Sequence, residues 1–138
     1  MQMERAFPRW IRGSLVCLAT LILLEWIWLT FIAGDFYARA LDSIIGEPVL
    51  WALALYYVHY VTCVTVFAIL PATSLKHAAR RGAGVGWIAY ATFELTNMII
   101  IEGWDPKFVI IDIIFGVILT SCSAMTGFWA AGGRKRRL

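Results

Sequence analysis

Residues 14–33, SLVCLATLILLEWIWLTFIA, form an apolar run in which Glu25 is the single charged side chain. A helix of about 20 apolar residues crosses the roughly 30 Å hydrocarbon core of a bilayer. Three more runs have comparable length and composition, at residues 49–70, 84–101 and 108–131. The whole chain is 61% hydrophobic, far above the usual share in soluble proteins. The sequence therefore predicts an all-α integral membrane protein with four transmembrane helices, forming a single domain over residues 1–138.

The positive charges fall mainly before the first run, between the second and third, and after the fourth. They are Arg5, Arg9, Arg12, Lys76, Arg80, Arg81, Arg134, Lys135, Arg136 and Arg137. The other two connections carry only Arg39 and Lys107, among several acids. By the positive-inside rule, we expect an antiparallel bundle with both termini on the cytoplasmic or matrix side of a bacterial or mitochondrial inner membrane. The basic C-terminus is then a headgroup anchor, and no nucleic-acid partner is expected.

The longest connection, residues 34–48, also has a helical pattern. Its apolar residues are Phe36, Tyr37, Leu41, Ile44 and Ile45, and they recur among polar residues at helical spacing. This pattern predicts a short interfacial helix after the first span, lying on the outer surface.

Polar side chains occur inside all four predicted spans, where they are costly. The candidate buried polar cluster is Glu25, His59, Tyr90, Glu94, Asn97 and Asp112. At 1.5 Å per residue, Glu25, His59 and Glu94 each lie about 15–16 Å from the inner end of their span, near the midplane. Asn97 lies one turn further out, and Asp112 is nearer the outer surface. These residues are expected to face the bundle interior, where a column of polar groups can form.

The chemistry of this cluster allows two interpretations. A carboxyl group in hydrocarbon either stays protonated or finds a partner. A protonated Glu94 can hydrogen-bond Asn97 or a backbone carbonyl and fasten the bundle, while an ionised Glu25 paired with His59 can belong to a proton relay, a cation site or a substrate pocket. For His59 alone, a structural role is also open.

The fourth predicted span carries a stripe of small and polar residues. Beyond Asp112 it contains Gly116, Thr120, Ser123 and Gly127, which follow one another at steps of three and four residues. Small residues let helix backbones approach closely in membranes, and hydroxyls hydrogen-bond between helices. We expect this stripe to be the main packing face of the helix.

No motif of a hydrolytic enzyme is present in the sequence. Only two histidines occur, His59 and His77, and there is no nucleophile–base pair or HExxH motif. The three cysteines show no metal-binding spacing. Catalysis is therefore not favoured and no cofactor is expected, although acids that hold a metal through water leave metal-assisted chemistry open.

Three stretches carry a resemblance to a known family: EWIWLTFIAGDFY, AYATFELTN and GWDPKFVIIDIIFG. The chain resembles the small four-helix membrane family catalogued as domain of unknown function 2177, whose motifs read approximately D-x-x-W-L, Y-x-x-Y-D-x-T-N and D-x-x-W-G. The matching residues are Glu25, Trp28 and Leu29; Tyr90, Phe93, Glu94, Thr96 and Asn97; and Asp112, Phe115 and Gly116. Two acids are one methylene longer than in the family pattern and two aromatic residues differ in type. The resemblance implies the fold and topology, and no activity.

Two functions follow from these observations. The first is a non-catalytic accessory subunit of a larger membrane assembly, such as a respiratory-chain complex. The alternative is a small carrier, a proton-coupled protein or a lipid-modifying protein that uses the buried acids and Asn97. The expected partners are membrane lipids and either other membrane subunits or further copies of this chain.

Overall fold

The computed structural model describes residues 2–133, with side chains described from Pro8 onward. These residues form helices and connections, with no strand among them, which confirms the predicted all-helical class. The helices are α1 (Gln2–Trp28), α2 (Gly34–Ala40), α3 (Leu50–Val64), α4 (Leu75–Ile100) and α5 (Pro106–Ala130), and two π-helical segments cover Leu29–Ala33 and Thr65–Ile69. The side chain of Arg5 and the basic residues 134–137, on which part of the topology prediction depends, lie outside the described residues.

Local chemistry explains where the last two helices begin. The Ser74 side chain accepts a hydrogen bond from the backbone N–H of His77 at 3.1 Å and caps the first turn of α4. Asp105 caps α5 in the same way through the N–H of Lys107, at 2.8 Å, and Pro106 occupies the first helical position. Between the two helices, Gly103 has a φ of 78°, a backbone conformation that glycine adopts without strain.

Within the described residues, three segments are long and apolar enough to cross a membrane: Pro8–Ala40, Leu50–Ile69 and Pro106–Ala130. They overlap the first, second and fourth predicted spans almost completely. The third predicted span belongs to α4, which is long enough but less apolar, because it begins with basic residues and carries Glu94 and Asn97. A crossing by α4 therefore stays a prediction.

The predicted short helix after the first span corresponds to α2, but it continues directly from α1 through the first π segment. Its aromatic residues pack inside the protein: Phe36 stacks on Phe108 with ring centroids 3.7 Å apart, and Tyr37 meets the same ring edge-on at 5.4 Å. Trp104 completes this aromatic group beside Phe36, at 5.2 Å. The helix thus packs against residues at the start of α5, while Ile44 and Ile45 beyond it are exposed.

Helix α5 lies between α4 and α1 and packs most extensively against α4. The predicted small-residue stripe is buried along α5. A Cβ atom added at Gly82 would lie 2.6 Å from the carbonyl oxygen of Thr120, and one added at Gly127 would lie 2.9 Å from that of Gly13. Glycines on three helices therefore permit backbone contact on both sides of α5.

Helix α3 packs less extensively than α5 against the other long helices. The π segment that follows it, Thr65–Ile69, makes more extensive contact with α4 than α3 itself does. The outer surface of the protein is strongly apolar: Ile99, Leu50 and Trp51 are each more than 70% exposed. Large contiguous apolar surfaces of this kind mark contact with a membrane or with another protein.

Candidate functional site

Glu25, near the end of α1, receives hydrogen bonds from three tyrosines. The hydroxyls of Tyr56 and Tyr57 on α3 donate to its two carboxylate oxygens, Oε1 and Oε2, both at 2.8 Å. The hydroxyl of Tyr90 on α4 donates to Oε1 at 3.1 Å. This carboxyl group therefore joins three helices, and all of the side-chain donors that the structure gives it are neutral.

Glu25 and its tyrosines border a partly open cavity of about 470 Å³ between α1, α3, α4 and α5. The other lining side chains are mostly aromatic or apolar: Trp28, Leu29, Tyr37, Leu53, His59, Tyr60, Ala89, Phe93 and Asp112. No lysine or arginine is among the described residues that line it. Its volume falls within the usual range for small-molecule sites, and such sites also combine apolar walls with a few polar groups.

The position of Tyr90 depends on a glycine in the neighbouring helix. A Cβ atom at Gly116 would overlap the Tyr90 ring, so any larger residue there would displace the ring. The Phe115 ring lies edge-on to Tyr90 at 6.2 Å and stacks on Trp28 at 4.2 Å. Gly116, predicted as a packing residue, thus also lets Tyr90 reach Glu25 across the face of α5.

Glu94 and Asp112 form a second acidic group, here called the acid pair. Both are almost fully buried, at 0% and 2% exposure, and their carboxyl groups are close neighbours. Trp104 Nε1 donates to Glu94 Oε2 at 2.7 Å, and Trp28 Nε1 donates to Asp112 Oδ1 at 2.9 Å. The Tyr37 hydroxyl lies beside both carboxyls. Asp112 also borders the cavity, so the two acidic groups are neighbours.

The structure thus divides the predicted polar cluster. Glu25 and Tyr90 come together at one site, and Glu94 and Asp112 at the other. His59 borders the cavity, but its Nε2 is 3.8 Å from the Cys63 sulfur and it does not hydrogen-bond Glu25. Asn97 is half-buried one turn from Glu94 and is not among the lining residues. The pairings suggested from sequence, Glu25 with His59 and Glu94 with Asn97, are replaced by tyrosine and tryptophan partners.

Several residues of the site were not predicted from the sequence. Tyr56, Tyr57, Tyr37 and Trp104 donate to the acids or lie beside them, yet none was in the predicted cluster. A signal did exist for Tyr56 and Tyr57, because they are adjacent hydroxyl-bearing residues near the middle of an apolar run. Trp104 gave no such signal, since a tryptophan near the end of a span is usual at a membrane interface.

Comparison with known proteins places the chain in a family. A family model described as "Predicted membrane protein (DUF2177)" matches residues 10–129. The chain belongs to this family. The resemblance of the sequence motifs is thereby confirmed, and the three DUF2177 motif stretches supply all four residues Glu25, Tyr90, Glu94 and Asp112. No curated protein and no solved structure shows significant similarity to the chain.

The described His, Cys, Asp and Glu side chains of this DUF2177 protein are its candidate metal ligands. Among the described residues, no group of three or more His, Cys, Asp or Glu side chains is placed to hold a metal ion. The cysteines Cys17, Cys63 and Cys122 are free thiols. The carboxyl and phenol groups of the site offer charge recognition and hydrogen bonding.

Proposed function

We propose that this DUF2177 protein crosses the membrane four times as an antiparallel bundle and acts as a small carrier that binds an organic cation at Glu25. One observation carries the proposal: three tyrosine hydroxyls converge on this carboxyl group inside a cavity that no described lysine or arginine lines. The cavity has an acidic group positioned by the fold, and no described side chain of fixed positive charge lines it to balance that group.

The energetics of a membrane interior favour a cationic ligand at this place. An ionised carboxylate in the bilayer centre costs a few kcal/mol or more, so it is retained only with partners. Neutral hydroxyl donors satisfy its oxygens, but they do not cancel its charge. A bound cation removes the net charge and leaves the three hydrogen bonds in place. The arrangement is thus more stable with the cation than without it.

The walls of the cavity suit a cation of organic rather than inorganic type. The rings of Trp28, Tyr56, Tyr60 and Phe93 line the same space as Glu25. Aromatic faces attract ammonium and phosphonium groups by about 0.5–2 kcal/mol each and also bury apolar substituents. A hydrated metal ion would gain little from such walls. Amine-bearing amphiphiles, including lipid headgroups of that chemistry, therefore fit better than Na⁺ or K⁺.

The loose packing of α3 supports a carrier role. Tyr56, Tyr57 and Tyr60 all belong to α3, which packs only sparsely against α1 and α4. Movement of this helix would open the cavity sideways and would at the same time separate Tyr56 and Tyr57 from Glu25. A ligand that entered from the lipid phase would thus change the contacts of α3 directly.

The test is a titration of the protein, in lipid nanodiscs, with tetraphenylphosphonium, an apolar organic cation. We expect saturable binding that Glu25→Gln weakens by at least about tenfold, equivalent to about 1.4 kcal/mol. The control is Glu102→Gln, an exposed acid outside the cavity, which should bind as the wild type does. Equal affinities of the wild type and Glu25→Gln would overturn the proposal.

The accessory-subunit function is a second candidate, and the exposed face of α3 supports it. Leu50, Trp51 and Val58 on this helix are 60% or more exposed. Another membrane subunit could cover that face and hold α3 in place. Native mass analysis of the protein extracted from its own membrane tests this idea. A stable complex with other subunits is expected in that case, while recovery of a lone protomer or a homodimer would rule it out.

A further inference from the structure

One buried carboxyl oxygen of the acid pair lacks a hydrogen-bond partner among the described residues. Trp104 satisfies Glu94 Oε2, but Glu94 Oε1 is fully buried and has no hydrogen-bond partner among the residues that the structure describes. This oxygen belongs to a side chain with 0% exposure, so solvent does not reach it. Buried polar atoms are rarely left without a partner, because each one costs free energy. The unpartnered oxygen therefore requires a further hydrogen-bonding partner beside it.

The surroundings of this oxygen show what it can bind. Asp112 comes from α5 and is a close neighbour of Glu94. The other groups that face the pair are neutral: the Trp28 indole from α1, the Tyr37 hydroxyl from α2 and the Trp104 indole from the connection before α5. Two ionised carboxylates that are close neighbours repel strongly in a medium of low dielectric constant. Neither these neighbours nor a metal cage among the described residues relieves that repulsion.

We propose that Glu94 and Asp112 form a proton-binding site that holds a single proton between the two carboxyl groups. One carboxyl is then a neutral acid and donates its O–H to the other, so the pair carries one negative charge in place of two. Glu94 Oε1 gains its missing partner, and the two indole N–H groups keep their acceptors. Carboxyl pairs of this kind titrate as a unit, so the proton belongs to both residues.

The position of the pair also gives the proton a route. Asp112 borders the cavity that Glu25 borders, whereas Glu94 is not among the lining residues. A cation in the cavity favours negative charge on Asp112 and hence release of the proton into the cavity, from which water can carry it away. This last step rests on the proposed cation site, but the proton site itself does not.

Infrared spectroscopy tests the proton site without any ligand. A protonated carboxyl group has a carbonyl stretching band that shifts in D₂O and is separate from carboxylate bands. We expect this band from the wild-type protein at neutral pH. The double variant Glu94→Gln/Asp112→Asn should lack it, because amides keep the acceptor oxygens for both indoles but hold no such proton.

Glu25→Gln is the matched control, because it removes a carboxyl group from the same cavity and should leave the band unchanged. Absence of the band from the wild type would overturn the proposal, and so would its persistence in the double variant, since the proton would then lie on another group. A folded state of each variant is verified by circular dichroism. The cation site can fail its own titration while this band is present, and the reverse also holds, so the two results are independent.

Discussion

The close contact between α4 and α5 predicts that two glycines of α4, Gly84 and Gly86, differ in how well they tolerate alanine. A Cβ atom at Gly86 would lie 2.7 Å from Thr120 Oγ1 and 2.9 Å from Thr120 Cβ, and it would also meet the backbone carbonyl of Gly116. A Cβ atom at Gly84 would meet nothing within 4 Å. Gly86→Ala must therefore push the helices apart, while Gly84→Ala need not move any neighbour.

The expected magnitudes follow from two terms. Alanine in place of glycine within a helix stabilises it by about 0.5–1 kcal/mol in either variant. Overpacking costs about 1–3 kcal/mol, and the upper half of this range applies at Gly86 because a backbone carbonyl has to move. The helix term cancels when the variants are compared. We expect Gly86→Ala to be less stable than Gly84→Ala by about 2–3 kcal/mol.

Reversible unfolding in mixed micelles, followed by tryptophan fluorescence, measures this difference. Gly84→Ala should unfold at the same or a slightly higher fraction of denaturing detergent than the wild type, and Gly86→Ala at a clearly lower one. If the two variants are equally stable, α4 and α5 do not approach as closely as described, and the positions of Tyr90 and Glu94 on α4 lose their support.

Three further predictions concern the site. Tyr57→Phe removes a donor to Glu25 and should weaken tetraphenylphosphonium binding about tenfold in the nanodisc titration. Tyr60→Phe should change this binding little, because the Tyr60 hydroxyl bonds Thr120 and not Glu25. Trp28→Phe removes the indole N–H that donates to Asp112 and should lower the free energy of unfolding by about 1–3 kcal/mol. Trp51→Phe, on the exposed surface, should leave the free energy of unfolding nearly unchanged. Cation binding should release about one proton per bound cation, measured with a pH-sensitive dye at low buffer strength; no release would show that the acid pair is not linked to the cavity.

The sequence predicted the helical class because apolar runs dominate the chain. The ends of the helices were less predictable, because a run ends where polar residues begin while a helix continues until a cap or a turn stops it. The third run begins at residue 84, but α4 begins at Leu75, after the Ser74 cap. Likewise, the first run ends at residue 33, yet a π segment carries the chain directly into α2.

The identity of the polar residues was easier to predict than their partners. Helical spacing places Tyr90 and Glu94 on one face of α4, but it does not state which neighbouring helix each residue meets. The depth estimate put Glu94 near the midplane and Asp112 further out, whereas the structure brings their carboxyls together. Counting from the end of the apolar run differs from counting along the helix, because α4 extends nine residues before that run. The tyrosine donors from α3 depend on tertiary packing, which periodicity does not report.

The cavity at Glu25 is proposed to select positive charge. The most direct measurement compares tetraphenylphosphonium with tetraphenylborate, an anion of nearly the same shape, by titration calorimetry of nanodiscs with and without the protein. Shape and apolar surface are matched, so the difference reports charge recognition. We expect saturable, protein-dependent binding of the cation and none of the anion beyond that of empty nanodiscs. Equal protein-dependent binding of both ions would show that the cavity does not select positive charge.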